Sequence, residues 1–242
     1  MAVRSIRLYT QQALTGQTTL ALEEGPANHL ARVLRARVGD NVVLFNGDGC
    51  DWQCTVTDIG KRHVTVHIDG GEHVSRESPL NTHLGLCLSK GERFDWAVQK
   101  ATELGVARIT PLLSERVDVK LPADRLDKKQ RHWQQIAISA CEQCGRAVVP
   151  EVSPAIGLDT WVGWVEADLK LVLHHHQRAG LPSERPASVA LLVGPEGGLS
   201  DNEVLSAQHA GFQRLCMGPR VMRTETAPVA ALAILGARWG DL

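Results

Sequence analysis

From Asn81 to the carboxyl terminus, short apolar runs alternate with longer segments whose apolar residues recur at helical spacing. The helical period is clear in Phe94, Val98, Ala101 and Leu104. Alternation of this kind predicts parallel βα units with helices on both faces of a sheet. We expect strands at 82–88, 108–113, 169–173, 189–193 and 213–217, and helices at 92–104, 126–144, 200–210 and 226–239.

The first seventy residues have a different pattern, made of five short strand-like runs. Asn46-Gly47-Asp48-Gly49 is typical of a hairpin turn, because Asn and Gly tolerate positive φ. This pattern predicts a small β-barrel. Its strands are expected at 3–9, 18–22, 41–45, 52–59 and 63–68.

One short helix interrupts these strands, beginning after Gly25 with Pro26. Leu30, Val33 and Leu34 are predicted on its buried face, and Arg32 and Arg35 on the opposite face. Residues 70–80 are polar, contain two glycines and one proline, and have no apolar period, which is typical of a linker. The sequence therefore predicts a barrel domain at 1–70, a linker at 71–80 and an α/β domain at 81–242.

Composition and charge exclude several classes of protein. Hydrophobic residues are 43% of the chain and charged residues 22%, so neither disorder nor a fibrous repeat is expected. A net charge of −1 excludes a polycation that coats nucleic acid, although it allows a local basic patch. The six cysteines are too sparse for a disulfide framework, and no apolar run approaches the roughly twenty residues that span a bilayer. The amino-terminal segment lacks the features of a secretory signal, so we expect a cytoplasmic protein.

A glycine-rich segment, Gly194-Pro195-Glu196-Gly197-Gly198, follows the strand predicted at 189–193. Ser200 and Glu203 come next in the pattern of a capping box, so the segment is a turn from a strand into a helix. Such a turn lets backbone groups approach a ligand, and we expect positive φ at Gly197. The chain lacks both the Gly-Lys-Ser/Thr of a phosphate-binding loop and a Gly-x-Gly-x-x-Gly motif. The sequence leaves two interpretations of this segment equally open, a ligand-binding loop and a plain tight turn.

A second turn, 217–227, follows the strand predicted at 213–217 and leads into the Ala-rich final helix. In open α/β sheets, ligands bind at the carboxyl ends of the strands. Arg223, Thr224 and Glu225 are therefore candidate site residues. The alternative is a surface ion pair between Arg223 and Glu225.

Two further motifs invite a metal-binding interpretation, His174-His175-His176 and Cys141-Glu142-Gln143-Cys144. Consecutive residues of an extended segment point to opposite faces, so three adjacent histidines cannot converge on one ion. The cysteine pair has no second ligand pair at the spacing of a zinc site. Packing on a helix face is the favoured interpretation of the cysteines, and we expect no metal site.

Four separated segments carry a resemblance to a known family: 99–105 (QKATELG), 141–146 (CEQCGR) and the two turns at 194–199 and 217–227. With these motifs in this order, the chain resembles the bacterial 16S ribosomal RNA (uracil-N3) methyltransferases of the SPOUT superfamily. The resemblance covers nearly the whole chain. It implies a carboxyl-terminal α/β domain with a trefoil knot, a smaller amino-terminal PUA-like β-barrel, and a homodimer.

The resemblance also implies the reaction and its cofactor. The family methylates one uridine in the decoding region near the 3′ end of 16S ribosomal RNA, with S-adenosylmethionine (AdoMet) bound in the knot. The substrate is expected to be that RNA within an assembled or partly assembled small ribosomal subunit. The residues that match the cofactor-binding segments are Leu173, His174, Gly194, Pro195, Glu196, Gly197, Gly198, Leu199, Met217, Gly218, Val221, Met222, Arg223 and Thr224.

Arg223 and Glu225 are the residues that we expect to be catalytic. Uracil N3 is a weak nucleophile until it loses its proton, so the enzyme needs a proton acceptor and a group that stabilises the resulting anion. Phosphate contacts require basic side chains. The candidates for RNA binding are Arg4, Arg7, Arg32, Arg35, Lys90, Arg93, Lys100, Arg116 and Arg146.

The sequence also allows three functions other than methylation of 16S ribosomal RNA. A related SPOUT enzyme could act on tRNA or on a ribose 2′-hydroxyl. A non-catalytic assembly factor would use the barrel alone and would not bind AdoMet. A nucleotide-binding α/β protein would bind ATP and make no use of AdoMet.

Overall fold

The computed structural model describes residues 6–61, 63–117, 122–174 and 180–242. These residues form two compact units. The first unit comprises the chain up to Glu77 together with Cys141–Val149, and the second comprises Ser78–Ala140 and Pro150–Leu242. No helix in the described ranges is long and apolar enough to cross a membrane.

The first unit is built on a five-stranded sheet in the order β1-β3-β4-β5-β2. The pair β1–β3 is parallel and the other pairs are antiparallel. Side chains including Leu8, Leu30, Leu44 and Val66 are fully buried between the sheet and the segment that precedes β3. The strands are β1 (Ile6–Tyr9), β2 (Thr19–Ala21), β3 (Asn41–Phe45), β4 (Cys50–Ile59) and β5 (Val64–His73).

All five strands lie where the sequence predicts them, although the first residues expected in β1 lie outside the described residues. The predicted hairpin turn is confirmed, since Gly47 and Gly49 have φ of 93° and 85°. β5 runs to His73, five residues past the predicted end and into the expected linker. Two register shifts let β4 keep pairing with β5 as far as Cys50 opposite His73.

The predicted short helix is present, but its predicted buried face is right only for Leu30 and wrong for Val33 and Leu34. α1 (Glu24–Asn28) continues as a π-helical turn (His29–Val33), in which Leu34 N–H donates to the His29 carbonyl five residues back. The wider turn rotates the later residues away from the sheet. Leu30 is buried, whereas Val33 is 67% exposed and Leu34 is 39% exposed.

The second unit contains a sheet in the order β12-β10-β11-β6-β7-β8, with β9 also paired to β7. All of these pairs are parallel. The α/β class with a smaller amino-terminal β domain is confirmed. The strands are β6 (Asn81–Cys87), β7 (Arg108–Leu113), β8 (Glu151–Val152), β9 (Ile156–Gly157), β10 (Leu169–Leu173), β11 (Ser188–Val193) and β12 (Gln213–Leu215).

Helices connect these strands as the sequence predicts, with one addition, the short α4 after β9. Trp161 of α4 is fully buried against the sheet beside Gly85, where a Cβ would lie 2.6 Å from the indole. The glycine in β6 is what makes room for that ring. The helices are α2 (Arg93–Glu103), α3 (Ala123–Cys144), α4 (Leu158–Trp164), α5 (Asp201–His209) and α6 (Thr226–Trp239).

The arrangement of the central strands determines where a site can form. β12, β10 and β11 are neighbours and run parallel, so their carboxyl ends meet at one edge of the sheet. The segments that follow them are the two turns singled out in the sequence and the start of the histidine run. This is the edge at which open α/β sheets bind ligands.

Candidate active site

The segments after β10, β11 and β12 enclose a cavity of about 660 Å³. It is lined by every residue that the sequence assigns to the cofactor. Glu225, expected to be catalytic, lines it too, as do Arg93 and Arg116 from the segments around α2 and β7. The sequence did not indicate the remaining lining residues, which lie within two positions of the assigned ones: Val193, Leu215, Cys216, Arg220 and Ala227.

The glycine-rich turn after β11 folds tightly over the cavity. Gly198 N–H donates to the Pro195 carbonyl at 2.9 Å. An added Cβ at Gly194 would lie 3.0 Å from Leu199 Cγ, closer than side chains normally approach. The positive φ expected at Gly197 is found instead at Gly198, at 71°. An added Cβ at Gly197 would lie 3.4 and 3.5 Å from the Cβ and the carbonyl oxygen of Arg116, which is ordinary van der Waals contact, so only a side chain larger than a methyl group would crowd Arg116.

Hydrogen bonds connect the turn to its neighbours. Thr224 is buried, and its hydroxyl donates to the Gly194 carbonyl at 2.9 Å. The Arg116 guanidinium donates to the carbonyls of Gly197 and Leu199 at 3.3 and 3.2 Å. Polar contacts between residues so distant in sequence hold the two turns in one geometry.

The predicted capping box at the start of α5 is confirmed. Ser200 accepts a hydrogen bond from Glu203 N–H, and the Glu203 carboxylate accepts one from Ser200 N–H. The buried Glu203 carboxylate also accepts from Glu115 N–H at 2.9 Å. The carboxylate therefore fixes the end of the glycine-rich turn and the segment after β7 together.

Glu196 points its carboxylate at the segment before α2. The Arg93 guanidinium and Lys90 N–H both donate to Glu196 Oε1, at 2.8 and 3.1 Å. Burial alone would raise the pKa of Glu196, but hydrogen bonds from backbone N–H groups and from Arg93 lower it below its usual value. Glu196 is therefore an ionised anchor for the turn.

Arg223 and Glu225 both line the cavity but do not pair with each other in the described residues. The Arg223 side chain is exposed, and its guanidinium has no hydrogen-bond or ion-pair partner within the described ranges. Glu225 immediately precedes α6, and its side chain is only 18% exposed. Its Oε2 atom is buried without a hydrogen-bond donor and lies 4.0 Å from Arg93 Nε. The alternative of an Arg223–Glu225 surface pair is thus not found.

The residues expected to contact RNA fall into different settings. Arg32 and Arg35 are exposed on the first unit, and Lys90, Arg93 and Arg116 are exposed on the second. Lys100 pairs with Glu103 one helical turn later. Arg4 lies outside the described residues.

Burial argues against RNA contact by Arg7 and Arg146, which corrects the expectation from the sequence. Arg7 pairs with the buried Asp51, donates to the Arg146 carbonyl and lies over the Phe45 ring. Arg146 is 4% exposed and pairs with Glu77. Arginine side chains that are buried against carboxylate partners in this way are not accessible to phosphates.

His174 lines the cavity, whereas His175 and His176 lie outside the described residues. The described ranges contain no cluster of three or more His, Cys, Asp or Glu side chains that could hold a metal ion. Cys141 of the cysteine pair is buried, and its thiol lies near the Val148 carbonyl.

The chain is similar to proteins of known kind along almost its whole length. The family described as RNA methyltransferase domain matches residues 76–236, which include the whole cavity. The chain belongs to this RNA methyltransferase family. A second family, described as RNA methyltransferase PUA domain, matches residues 23–69 of the first unit.

The chain is also similar to ribosomal RNA small subunit methyltransferase E from Buchnera aphidicola, with 33% identity over 100% of both chains. Solved structures of family members agree along the whole chain. A methyltransferase from Legionella pneumophila in complex with the bound cofactor AdoMet is 42% identical, with a TM-score of 0.96 over 99% of this chain and 100% of that one. Ribosomal RNA small subunit methyltransferase E from Neisseria gonorrhoeae, bound to AdoMet, is 37% identical, with a TM-score of 0.92 over 98% and 99%.

Proposed function

We propose that this chain transfers a methyl group from AdoMet to N3 of one uridine in the decoding region near the 3′ end of 16S ribosomal RNA. Membership of its family makes it an AdoMet-dependent methyltransferase of small-subunit ribosomal RNA. The observation that carries the proposal is the cavity, which is lined by all of the residues assigned to the cofactor and by Arg223 and Glu225.

The cavity fits AdoMet in size and chemistry. Its volume of about 660 Å³ falls within the usual range of small-molecule sites, roughly 300–1,000 Å³. The turns present backbone N–H and C=O groups, which can read the edge of an adenine without bulky side chains. When bound, AdoMet supplies an electrophilic methyl group on a sulfonium. Because Gly194 and Gly197 carry no side chain, a ligand can come close to the backbone of the glycine-rich turn.

The side chains beside the cavity supply the groups that the reaction needs. Glu225 either accepts the N3 proton or orients Arg223. As the bond from N3 to the methyl carbon forms and the sulfur–carbon bond breaks, the proton leaves N3 for the carboxylate and then for solvent. Arg223 stabilises the negative charge that spreads onto the uracil carbonyl oxygens.

The substrate must present an unpaired or flipped base, because N3 lies on the Watson–Crick edge. We propose that Arg32 and Arg35, with Lys90, Arg93, Lys100 and Arg116, contact the RNA. The proposal includes the homodimer, the trefoil knot and an assembled or partly assembled small subunit as substrate, which follow from the resemblance to the family, and the cytoplasmic location expected from the sequence.

The test uses purified protein, AdoMet with a labelled methyl group, and small subunits from cells that lack the gene. After digestion to nucleosides, we expect all of the transferred label in 3-methyluridine. Label in a 2′-O-methyl nucleoside would favour the ribose-modifying alternative, and label in added tRNA would favour the tRNA enzyme. Calorimetry that detects no AdoMet binding would favour the non-catalytic assembly factor.

A further inference from the structure

A second cavity of about 630 Å³ adjoins the first in the second unit. Arg93 and Glu225 line both cavities, so these two side chains form the boundary between them. The second cavity is otherwise lined by Lys90, Gly91, Glu92, Trp96 and Thr226.

Trp96 is the unusual residue of this second cavity. α2 buries Phe94, which is 1% exposed and packs against Trp133 with ring centroids 4.3 Å apart. Trp96 lies two residues further along the same helix and is 42% exposed. An indole that is partly exposed at the wall of a cavity offers a flat face on which a nucleobase can stack.

The side chains at the boundary, Arg93 and Glu225, match the hydrogen-bonding groups on the N3 edge of uracil. Uracil presents an N3–H donor between two carbonyl acceptors. The Glu225 carboxylate can accept from N3–H, and its Oε2 atom has no donor in the described structure. Arg93 and Lys90 can donate to the carbonyl oxygens. Cytosine has no N3–H at neutral pH and presents a lone pair there, so a carboxylate at that position discriminates against it.

We propose that the second cavity receives the acceptor uracil, with the base stacked on Trp96 and its N3 edge directed to Glu225. The inference rests on the proposed function, since it assigns the acceptor subsite of that reaction. Methyl transfer requires the reacting atoms to approach to about 3–3.5 Å, so the N3 edge has to reach the first cavity past Arg93 and Glu225, the two side chains that line both cavities. Trp96 is then a substrate-binding residue that the sequence did not indicate.

The test compares Trp96→Ala and Trp96→Phe with the matched control Trp164→Ala. Trp164 is 46% exposed and lines neither cavity. Thermal unfolding checks that each variant is folded, calorimetry gives its AdoMet affinity, and single-turnover methyl transfer to small subunits gives its rate at subsaturating substrate. Loss of one stacking contact should lower the rate of Trp96→Ala about 5- to 100-fold. AdoMet affinity should not change, Trp96→Phe should keep most of the rate, and Trp164→Ala should match the wild type.

Three results would overturn the inference. The first is a wild-type rate for Trp96→Ala. The second is an equal loss in Trp96→Phe, which would show that stacking is not what matters. The third is a change of oligomeric state in Trp96→Ala, measured by light scattering, which would show that a second copy of the chain covers the indole. Failure of the wild-type protein itself to bind AdoMet or to methylate small subunits would instead contradict the proposed function on which the inference rests.

Discussion

At the scale of single residues, Arg223 is the side chain whose removal should affect chemistry most selectively. Its guanidinium is exposed at the cavity and has no partner in the described ranges, so it is available for the charge that develops on uracil. We expect Arg223→Ala to lower the single-turnover methyl-transfer rate by about 10²-fold, the usual effect of losing one charge-stabilising donor, with a much smaller change in AdoMet affinity. Arg238→Ala, an exposed arginine of α6 outside both cavities, is the control. A near-normal rate for Arg223→Ala would refute its role.

Glu225 makes a separate prediction about protonation. If the carboxylate accepts the N3 proton, Glu225→Gln should be slow at neutral pH and partly rescued as the pH rises, because substrate that is already deprotonated does not need the base. The measurement is the single-turnover rate of wild type and variant across pH. A deficit that stays constant across pH would mean that Glu225 is not the acceptor of the N3 proton.

Gly197 should be intolerant of a branched side chain for a reason of space. In Gly197→Val, the new Cβ would already be in van der Waals contact with Arg116, so the two methyl groups beyond it would crowd that residue, whose guanidinium holds the carbonyls of Gly197 and Leu199. We expect AdoMet affinity, measured by calorimetry, to fall at least about tenfold in a folded protein, which corresponds to about 1.4 kcal/mol. Gly163→Val, in open space on α4, is the matched control. Unchanged affinity in Gly197→Val would remove the turn from the cofactor site.

The sequence indicated the cavity residues well because they share one property, a position just after a strand. The sequence could not show that Arg7 and Arg146 are buried, because the residue type alone does not distinguish an exposed arginine from a buried one. Their partners Asp51 and Glu77 lie 44 and 69 residues away along the chain, so no local pattern pairs them. Trp96 was missed for the converse reason, because an aromatic residue in a helix suggests core.

At the scale of elements, periodicity predicted the long helices α2 and α3 and the buried strands β6 and β11. It could not predict β8 and β9, because strands of two residues have no detectable alternation. The π-helical turn was missed because no composition signals the change from i+4 to i+5 bonding. The knot and the dimer came only from the resemblance, since no rule of sequence periodicity predicts either.

The π-helical turn is the element for which we predict a contribution to RNA binding. Arg32 lies in that turn and Arg35 lies two residues after it; both side chains are exposed, and Arg35 has a φ of 54°. Replacing both with Ala should weaken binding to small-subunit RNA and flatten the plot of log affinity against log salt by about 1.5, or roughly 0.7–0.9 per lost phosphate contact. AdoMet affinity should not change. Lys61→Ala, an exposed lysine elsewhere in the first unit, is the control, and an unaltered slope in the double variant would mean that both arginines face only solvent.

At the scale of the whole molecule, stability should depend on pH through His83. Its Nε2 accepts from the Trp161 indole N–H at 3.3 Å and lies 2.8 Å from the Thr110 hydroxyl, which requires a neutral ring. Burial, followed by the nearby Arg108, lowers the pKa of His83 from 6.5 to about 4, although Glu151 partly opposes this.

The unfolded chain therefore binds a proton at His83 at a higher pH than the folded chain does. Stability from this residue is present above pH 6.5 and is lost as the pH falls towards 4, by up to about 3 kcal/mol. Urea unfolding between pH 7 and 4.5 should show a shallower decline in His83→Gln than in wild type. His209→Gln, an exposed histidine, is the control. Equal slopes in His83→Gln and wild type would show that His83 is not buried in its neutral form.

The most direct test of the central claim is nucleoside mass spectrometry of small-subunit ribosomal RNA from cells in which the gene for this chain is deleted. The rRNA of the parent should contain one 3-methyluridine that is missing from the deletion strain. Wild-type protein expressed in that strain should restore it, whereas Arg223→Ala at the same protein level should restore little. Retention of the 3-methyluridine in the deletion strain, or loss of a different modified nucleoside, would contradict the assignment.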